Sequence, residues 1–403
     1  MFFYSNGLEL FINEFGIAYF VAELANFGLL TLILILFTRF KLIEREYFLF
    51  WIIYFLSPFF FNFILFSPYY FGDQYTYFDY YNRVKDIGLI EGLQFMDTAE
   101  GSFDEWSGVA RARSLVASYM LSFIPLFSAL TVTSLAFANK FLVLLLFIFL
   151  RKRFEAREII AFLLIPSFIL YTSLSLREPL IMFFGVISLI LILENKPISS
   201  LICLFFLAIL KIQNAPGFLF IWLFIFLLRS HISYLRLAFY SLVSLTIIIA
   251  TFDYYGDLIN IYRLAFALED GIPIDEVELL EIQSGFHLIY TTLREIPTFL
   301  LAPLLWQVIN PFQAIMSIES ILLVCLLAFL VLRKNVFWDK RFLIFLFGFG
   351  ICMGIHAITT SNFGTLARYR FGGFFPFLVA FYYFYREHQL DERTYQVNEA
   401  TSS

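Results

Sequence analysis

An all-α, polytopic membrane fold is what this sequence predicts, on three observations. Apolar residues fill 61% of the 403 positions, with Phe alone occurring 56 times, whereas globular chains run about 45–50% apolar. Long uncharged runs recur along the chain, and a helix needs about 20 apolar residues to cross a bilayer. Most Lys and Arg fall in short clusters between those runs, the pattern expected of membrane loops.

Taken in order, the apolar runs give about eleven spans, near 17–37, 47–66, 134–150, 158–174, 180–193, 198–212, 216–228, 237–252, 317–332, 342–358 and 371–385. The basic clusters RFKLIER (39–45), RKRFEAR (151–157), Lys196, Arg229 to Arg236, RKNVFWDKR (333–341) and the tail hold 16 of the 27 Lys and Arg. All of them fall on one side if the N-terminus is outside and the C-terminus cytoplasmic, in the positive-inside sense. Most acids then face out: the external loop 67–113 carries eight Asp/Glu against four Lys/Arg, and the loop 253–296 nine against two. Residues 114–131 are apolar, but a full crossing there would put RKRFEAR outside, so they are expected as a re-entrant or surface helix. Residues 288–310, with Arg294, Glu295, Pro297 and Pro303, read the same way. Residues 198–212 and 216–228 pair across QNAP as a tight outward hairpin. The expectation is one integral-membrane domain, 1–386, and a short cytoplasmic tail, 387–403, without internal repeats. The N-terminus MFFYSNGLELFINEFG is acidic and lacks a basic n-region, so the first span is expected to direct insertion itself.

Several function classes are excluded. No basic domain or nucleic-acid motif occurs. Cys203, Cys325 and Cys352 all lie in apolar spans, and the four His show no ligand spacing.

Five outward segments combine polar chemistry with membrane proximity. GDQYTYFDYYNRVKD (72–86) offers Asp73 and Asp79 as carboxylates, with Tyr75 and Tyr77 among its tyrosines. A carboxylate at a cavity lip can act as general base, and tyrosines can stack on sugar rings. Equally, such a segment can be an interfacial aromatic belt with solvated acids. YTSLSLREP (171–179) puts Arg177 and Glu178 in a very short turn, where ionisable groups are costly and tend to be paired or functional. LKIQNAP (210–216) brings Lys211 and Asn214 into an otherwise uncharged hairpin, although a lysine there can simply snorkel. The fourth segment carries Arg294 and Glu295, then Trp306 and Glu319. The fifth, SNFGTLARYR (361–370), holds Asn362, Gly364, Arg368 and Arg370. Arginine forks match phosphate oxygens. Two positions apart on one helix, the two arginines diverge by about 160–200°, so they share a ligand only if the segment is irregular. Otherwise one of them is structural, and Arg368, nearer Gly364, is favoured as the ligand contact.

Together Arg177, Lys211, Arg294, Arg368 and Arg370 as phosphate grips, Asp73 and Asp79 as catalytic acids, and Tyr75, Tyr77, Asn214 and Asn362 as sugar contacts suit a polyprenyl-phosphate-linked glycan. No cofactor or metal is required, and a divalent cation between Asp73 and a diphosphate is compatible with the set.

On these segments the chain resembles the GT-C-type integral-membrane glycosyltransferases and the related Wzy-like O-antigen and exopolysaccharide polymerases. GDQYTYFD looks like the family's early Asp-bearing loop. SLVASYMLSFIPLF and ANKFLVLLLFIFLRKR look like the surface helix and span that follow it. IPSFILYTSLSLREPL looks like a span–turn–span, and SNFGTLARYRFGGFFPFL like a late R-Y-R turn followed by proline, here Pro376. The resemblance implies a GT-C-like fold, Asp73 as base or acceptor-binding residue, and Arg177, Lys211, Arg368 and Arg370 gripping lipid phosphate. It implies membrane lipid and other glycan-assembly proteins as partners, at the outer face of the cytoplasmic membrane. The large loop follows the second span rather than the first, and no large soluble C-terminal domain is present. Both features favour a polymerase. A transporter or flippase for a lipid-linked or anionic solute is the alternative, and a non-catalytic scaffold a third reading.

Overall fold

The computed structural model describes residues 16–66, 73–91, 105–122, 124, 131–226, 233–269, 281–332, 334–360 and 363–402, and among these the regular structure is helical throughout. The chain divides into two compact units. The first comprises Met1–Phe183 and Ile209–Lys211, the second Phe184–Ala208 and Ile212–Ser403.

In the first unit, α1 (Ile17–Arg39) has 23 residues, about 34 Å of helix against a hydrocarbon core of about 30 Å. Its buried residues, Glu23, Asn26, Leu30 and Leu34, recur every three or four positions and so share one face. Val21, Leu24, Leu32 and Ile35 point outward, as on a lipid-facing helix that is apolar all round. The second span, Arg45–Leu65, is built from a 3₁₀ turn, α2 (Phe48–Phe59) and a π turn, Phe60–Leu65. Pro58 accounts for the change of winding. It has no N–H, so Tyr54 O loses its helical donor. The Ser57 hydroxyl donates to that carbonyl at 2.7 Å, and Asn62 Nδ2 in the π turn donates to Pro58 O at 2.9 Å.

The segment expected as an acidic external loop holds α3 (Asp73–Ile87) and part of α4 (Glu105–Ser122). Gln74, Tyr77, Tyr80 and Val84 form the buried stripe of α3. Tyr80 and Val84 pack on Leu115 of α4, with Leu89 and Tyr119 beside them, and Ser118 Oγ donates to Tyr77 O at 3.0 Å. α5 (Ser134–Leu150) is the centre of the unit, with 13 of its 17 residues buried. The span expected near 158–174 is two short helices, α6 (Ala156–Leu163) and α7 (Pro166–Thr172). Pro166 makes the break, sitting at the first position of the new helix where its missing N–H costs nothing. The chain turns through 173–177 and enters α8 (Glu178–Leu193).

The second unit contains most of α9 (Pro197–Leu210), then α10 (Ala215–Phe226), α11 (Tyr234–Ala250), α12 (Phe252–Glu269), α13 (Gly285–Leu301), α14 (Pro311–Val331), α15 (Lys340–Thr359) and α16 (Phe363–Ser402). α10 and α15 approach backbone to backbone. A Cβ added to Gly217 would lie 2.4 Å from Gly348 O, and one added to Gly348 would lie 2.8 Å from Gly217 O. Small residues permit such approach where no hydrophobic force drives helices together. α15 and α16 then interlock through rings: Phe349 meets Phe374, Phe377 and Phe381, while Phe342 and Phe345 meet Phe384. At one end of this pair Arg341 bridges Asp339 (3.0 Å) and Glu387 (3.1 Å).

This is a membrane protein: among the described residues four helices are long and apolar enough to cross a bilayer, namely Ile17–Arg39, Arg45–Leu65, Pro311–Val331 and Lys340–Thr359. A fifth is added if Ala238–Ala250 and Phe252–Ile261, bent by 72°, count as one broken span. These helices do not confirm the expected figure of about eleven. Ser134–Leu150, Glu178–Leu193, Pro197–Leu210 and Ile212–Phe226 are apolar helices of 10–17 residues, at most about 25 Å long and short of the core. One further expectation changes. SNFGTLARYR is not an irregular turn over its last part, because 363–370 opens the 40-residue α16. Residues 387–402, in the expected tail, continue the same helix.

Candidate functional site

The turn 173–177 of the first unit is irregular backbone between apolar helices, and every polar group there needs a partner. Side chains from four elements supply most of them. Asn62 Nδ2 of the π turn donates to Ser173 O at 3.1 Å. Ser175 N donates to Gln74 Oε1 of α3 at 2.8 Å, and Gln74 Nε2 donates to Asn62 Oδ1 at 3.1 Å. Asn139 Nδ2 of α5 donates to both Leu174 O (2.7 Å) and Leu176 O (3.0 Å). Ser57 and Ser173 share a hydroxyl bond at 2.8 Å. Three carboxamides therefore clasp the turn.

Just before the clasp, Lys140 of α5 is fully buried. Its Nζ donates to Thr172 Oγ1 at 2.9 Å and lies 3.8 Å from the centre of the Tyr54 ring. Thr172 spends its own proton on Phe168 O at 2.6 Å, so Tyr54 must donate in the 2.8 Å bond between the two hydroxyls. Lys140 has no carboxylate partner among the described residues. Just after the clasp come Arg177, half-buried, and Glu178, buried. Arg177 Nη1 reaches Ser114 Oγ of α4 at 3.4 Å. Glu178, in the first turn of α8 where the helix dipole favours an acid, interacts electrostatically with Arg177 and with the buried Lys211.

The first unit thus brings Arg177 and Lys211 together around Glu178, and places α3 against the same turn through Gln74. Asp73, the neighbour of Gln74, is exposed on the first turn of α3. Asp79 lies about 120° around the helix from Asp73 and pairs with Arg83 at 3.5 Å on the solvent side. Tyr77 is buried and Tyr75 half-buried.

The remaining expected residues belong to the second unit. Asn214 is a buried packing node: Oδ1 accepts from His356 Nε2 at 2.5 Å and from Cys352 Sγ at 3.4 Å, and Nδ2 donates to Gly372 O at 3.4 Å. With Asn214 oriented this way, the Nε2 of His356 carries the proton. Phe299 stacks on the imidazole, with ring centres 5.9 Å apart. Arg370 binds Leu300 O in the last turn of α13 (2.9 Å) and Ser320 Oγ of α14 (2.6 Å), a structural tie among three helices. Arg368 projects from the other side of α16, about 160–200° away. Arg294 is exposed and held by Glu295, with Nε 3.0 Å and Nη2 2.7 Å from the same oxygen. Asn362 lies outside the described residues.

Sequence reasoning passed over Asn62, Gln74, Asn139, Lys140 and Glu23. The last two carried a usable signal, a single charge inside an apolar run; the carboxamides, being neutral, carried none. Among the described residues no group of three or more His, Cys, Asp or Glu is placed to hold a metal ion. Compared with protein-family models, curated proteins and solved structures, the chain finds no match in any of the three.

Proposed function

We propose that the chain is a membrane glycosyltransferase or polysaccharide polymerase at the outer face of the cytoplasmic membrane, its N-terminus outside and its C-terminus cytoplasmic. It transfers glycan from a polyprenyl-(di)phosphate carrier to a sugar hydroxyl. The observation that carries this reading is the gathering of Arg177 and Lys211 around Glu178 at a clasped turn, with α3 held to that turn through Gln74. Two cations against one carboxylate leave positive charge for a phosphate. In the reaction the bond from the anomeric carbon to the carrier phosphate breaks, and the phosphate leaves with the electron pair. The acceptor oxygen bonds to that carbon and its proton passes to a carboxylate, for which Asp73 is the exposed candidate. Arg177 and Lys211 stabilise the departing phosphate, and the clasp fixes Arg177 in place. No cofactor is needed.

The test is Arg177→Ala and Lys211→Ala in membranes supplied with a polyprenyl-diphosphate-linked oligosaccharide. Transfer is expected to fall about 100-fold in each at unchanged protein level, and wild-type transfer in both variants sinks the reading. One observation favours the alternative, a flippase: Lys140 and Glu23 are ionisable groups buried inside apolar helices, as in transporters. In that case labelled lipid-linked glycan crosses vesicle bilayers and no glycosidic product forms.

A further inference from the structure

α1 carries one acidic side chain between Ile17 and Arg39, Glu23, and it is fully buried. It faces the start of α5. Thr133 Oγ1 donates to Glu23 Oε1 at 2.9 Å and Ser134 Oγ donates to the same oxygen at 2.8 Å. Ser134 Oγ is itself oriented by Thr131 N at 3.2 Å. Asn26, on the same face of α1, adds a third side-chain hydrogen bond to the carboxyl. The second oxygen, Oε2, is buried and has no hydrogen-bond partner among the described residues.

The arrangement is lopsided in an informative way. Three donors converge on the carboxyl, which suits a carboxylate that accepts. Among the described residues no cation comes with them. The helices that α1 chiefly packs against are α2 and α5. α2 has no charged residue between Phe48 and Phe59, and the charged residue of α5 is Lys140, about 9 Å further along the helix axis from Ser134 and engaged with Thr172 and Tyr54. The turn 131–133 is Thr-Val-Thr. A permanent ion would leave Oε2 charged and unpartnered in an apolar unit, which costs several kcal/mol, on the order of 3 or more. A permanently neutral acid would waste the donors gathered on it. A hydrogen on Oε2 supplies what the uncharged state lacks.

We propose that Glu23 is a proton-binding site inside the first membrane span. The bound state has an O–H bond at Oε2. Release breaks that bond, sends the proton to water and leaves the electron pair on a carboxylate held by Thr133, Ser134 and Asn26. The site stands apart from the clasped turn and does not depend on the glycan-transfer reading.

The experiment uses the full chain in phosphatidylcholine vesicles and follows the carbonyl band of protonated carboxyl groups by infrared difference spectroscopy while pH is changed. The expected result is one component of that band, seen as the difference between wild type and Glu23→Gln, that titrates in the wild type and is missing from Glu23→Gln. Glu23→Gln keeps an acceptor oxygen for Thr133 and Ser134, so it preserves the fold. The double variant Thr133→Val, Ser134→Ala removes two donors of the ionised state and is expected to move the midpoint up by about one pH unit or more. Two results overturn the proposal: wild type and Glu23→Gln give the same carboxyl bands at every pH, or the component lost in Glu23→Gln never titrates.

Discussion

Lys140 and Arg370 are both cations in apolar units, and their neighbours give them different work. Among the described residues Lys140 makes one hydrogen bond and one ring contact, with no carboxylate. Such a charge is dispensable to stability if its volume is kept. Lys140→Met is therefore expected to leave thermal unfolding in detergent unchanged or raise its midpoint, whereas Lys140→Ala is expected to lose about 2–4 kcal/mol to the cavity. Arg370, by contrast, holds a terminal carbonyl of α13 and a hydroxyl of α14. Arg370→Ala is expected to cost about 1.5–3 kcal/mol, seen in the same melting assay. The sequence indicated that only one of this pair could face a ligand, because two residues on a helix diverge. Nearness to Gly364 favoured Arg368 for that role, but the ties of Arg370 left no trace in the sequence, since Leu300 and Ser320 are 70 and 50 positions away.

Elements were legible where periodicity or length spoke and obscure where a break was neutral. α1 and the Arg45–Leu65 span read directly from their apolar runs. The break at Pro166 did not, because the residues on both sides are apolar and only the proline marks it. The start of α16 was missed for the opposite reason: Asn362 and Gly364 look like turn residues, yet Gly364 is carried inside the helix. Helix packing depends on residues that carry no chemistry at all. Gly217 and Gly348 meet backbone to backbone, while Gly350, two residues on, faces open space. Gly217→Ala is expected to separate α10 from α15 and destabilise by about 1–3 kcal/mol. Gly350→Ala is expected to be neutral or to stabilise by up to about 1 kcal/mol. Equal effects from the two would show that the close contact is not what holds these helices.

For the whole molecule, the charge pattern predicts sidedness. Asp339, Arg341 and Glu387 meet at one end of the second unit, in segments expected to be cytoplasmic, whereas Asp73 is expected outside. Single cysteines placed at Trp338 and at Asp73, in a chain whose three native cysteines are replaced, should label from opposite sides with a membrane-impermeant maleimide. Labelling from one side would reverse the assignment of a unit. What composition conveyed at this scale was the solvent, a bilayer, and the segregation of charge. The site was partly legible: Arg177, Glu178 and Lys211 stand out as charges in short turns, but the amides that brace them lie far away in sequence and leave no pattern. Those amides have one more consequence, which concerns the order of synthesis. Asn62, Gln74 and Asn139 all precede the turn 173–176 that they hold. A chain made from its N-terminus delivers these amides before the backbone groups they bind. The partners of its backbone groups are therefore already in the chain when the turn emerges, where lipid itself offers none.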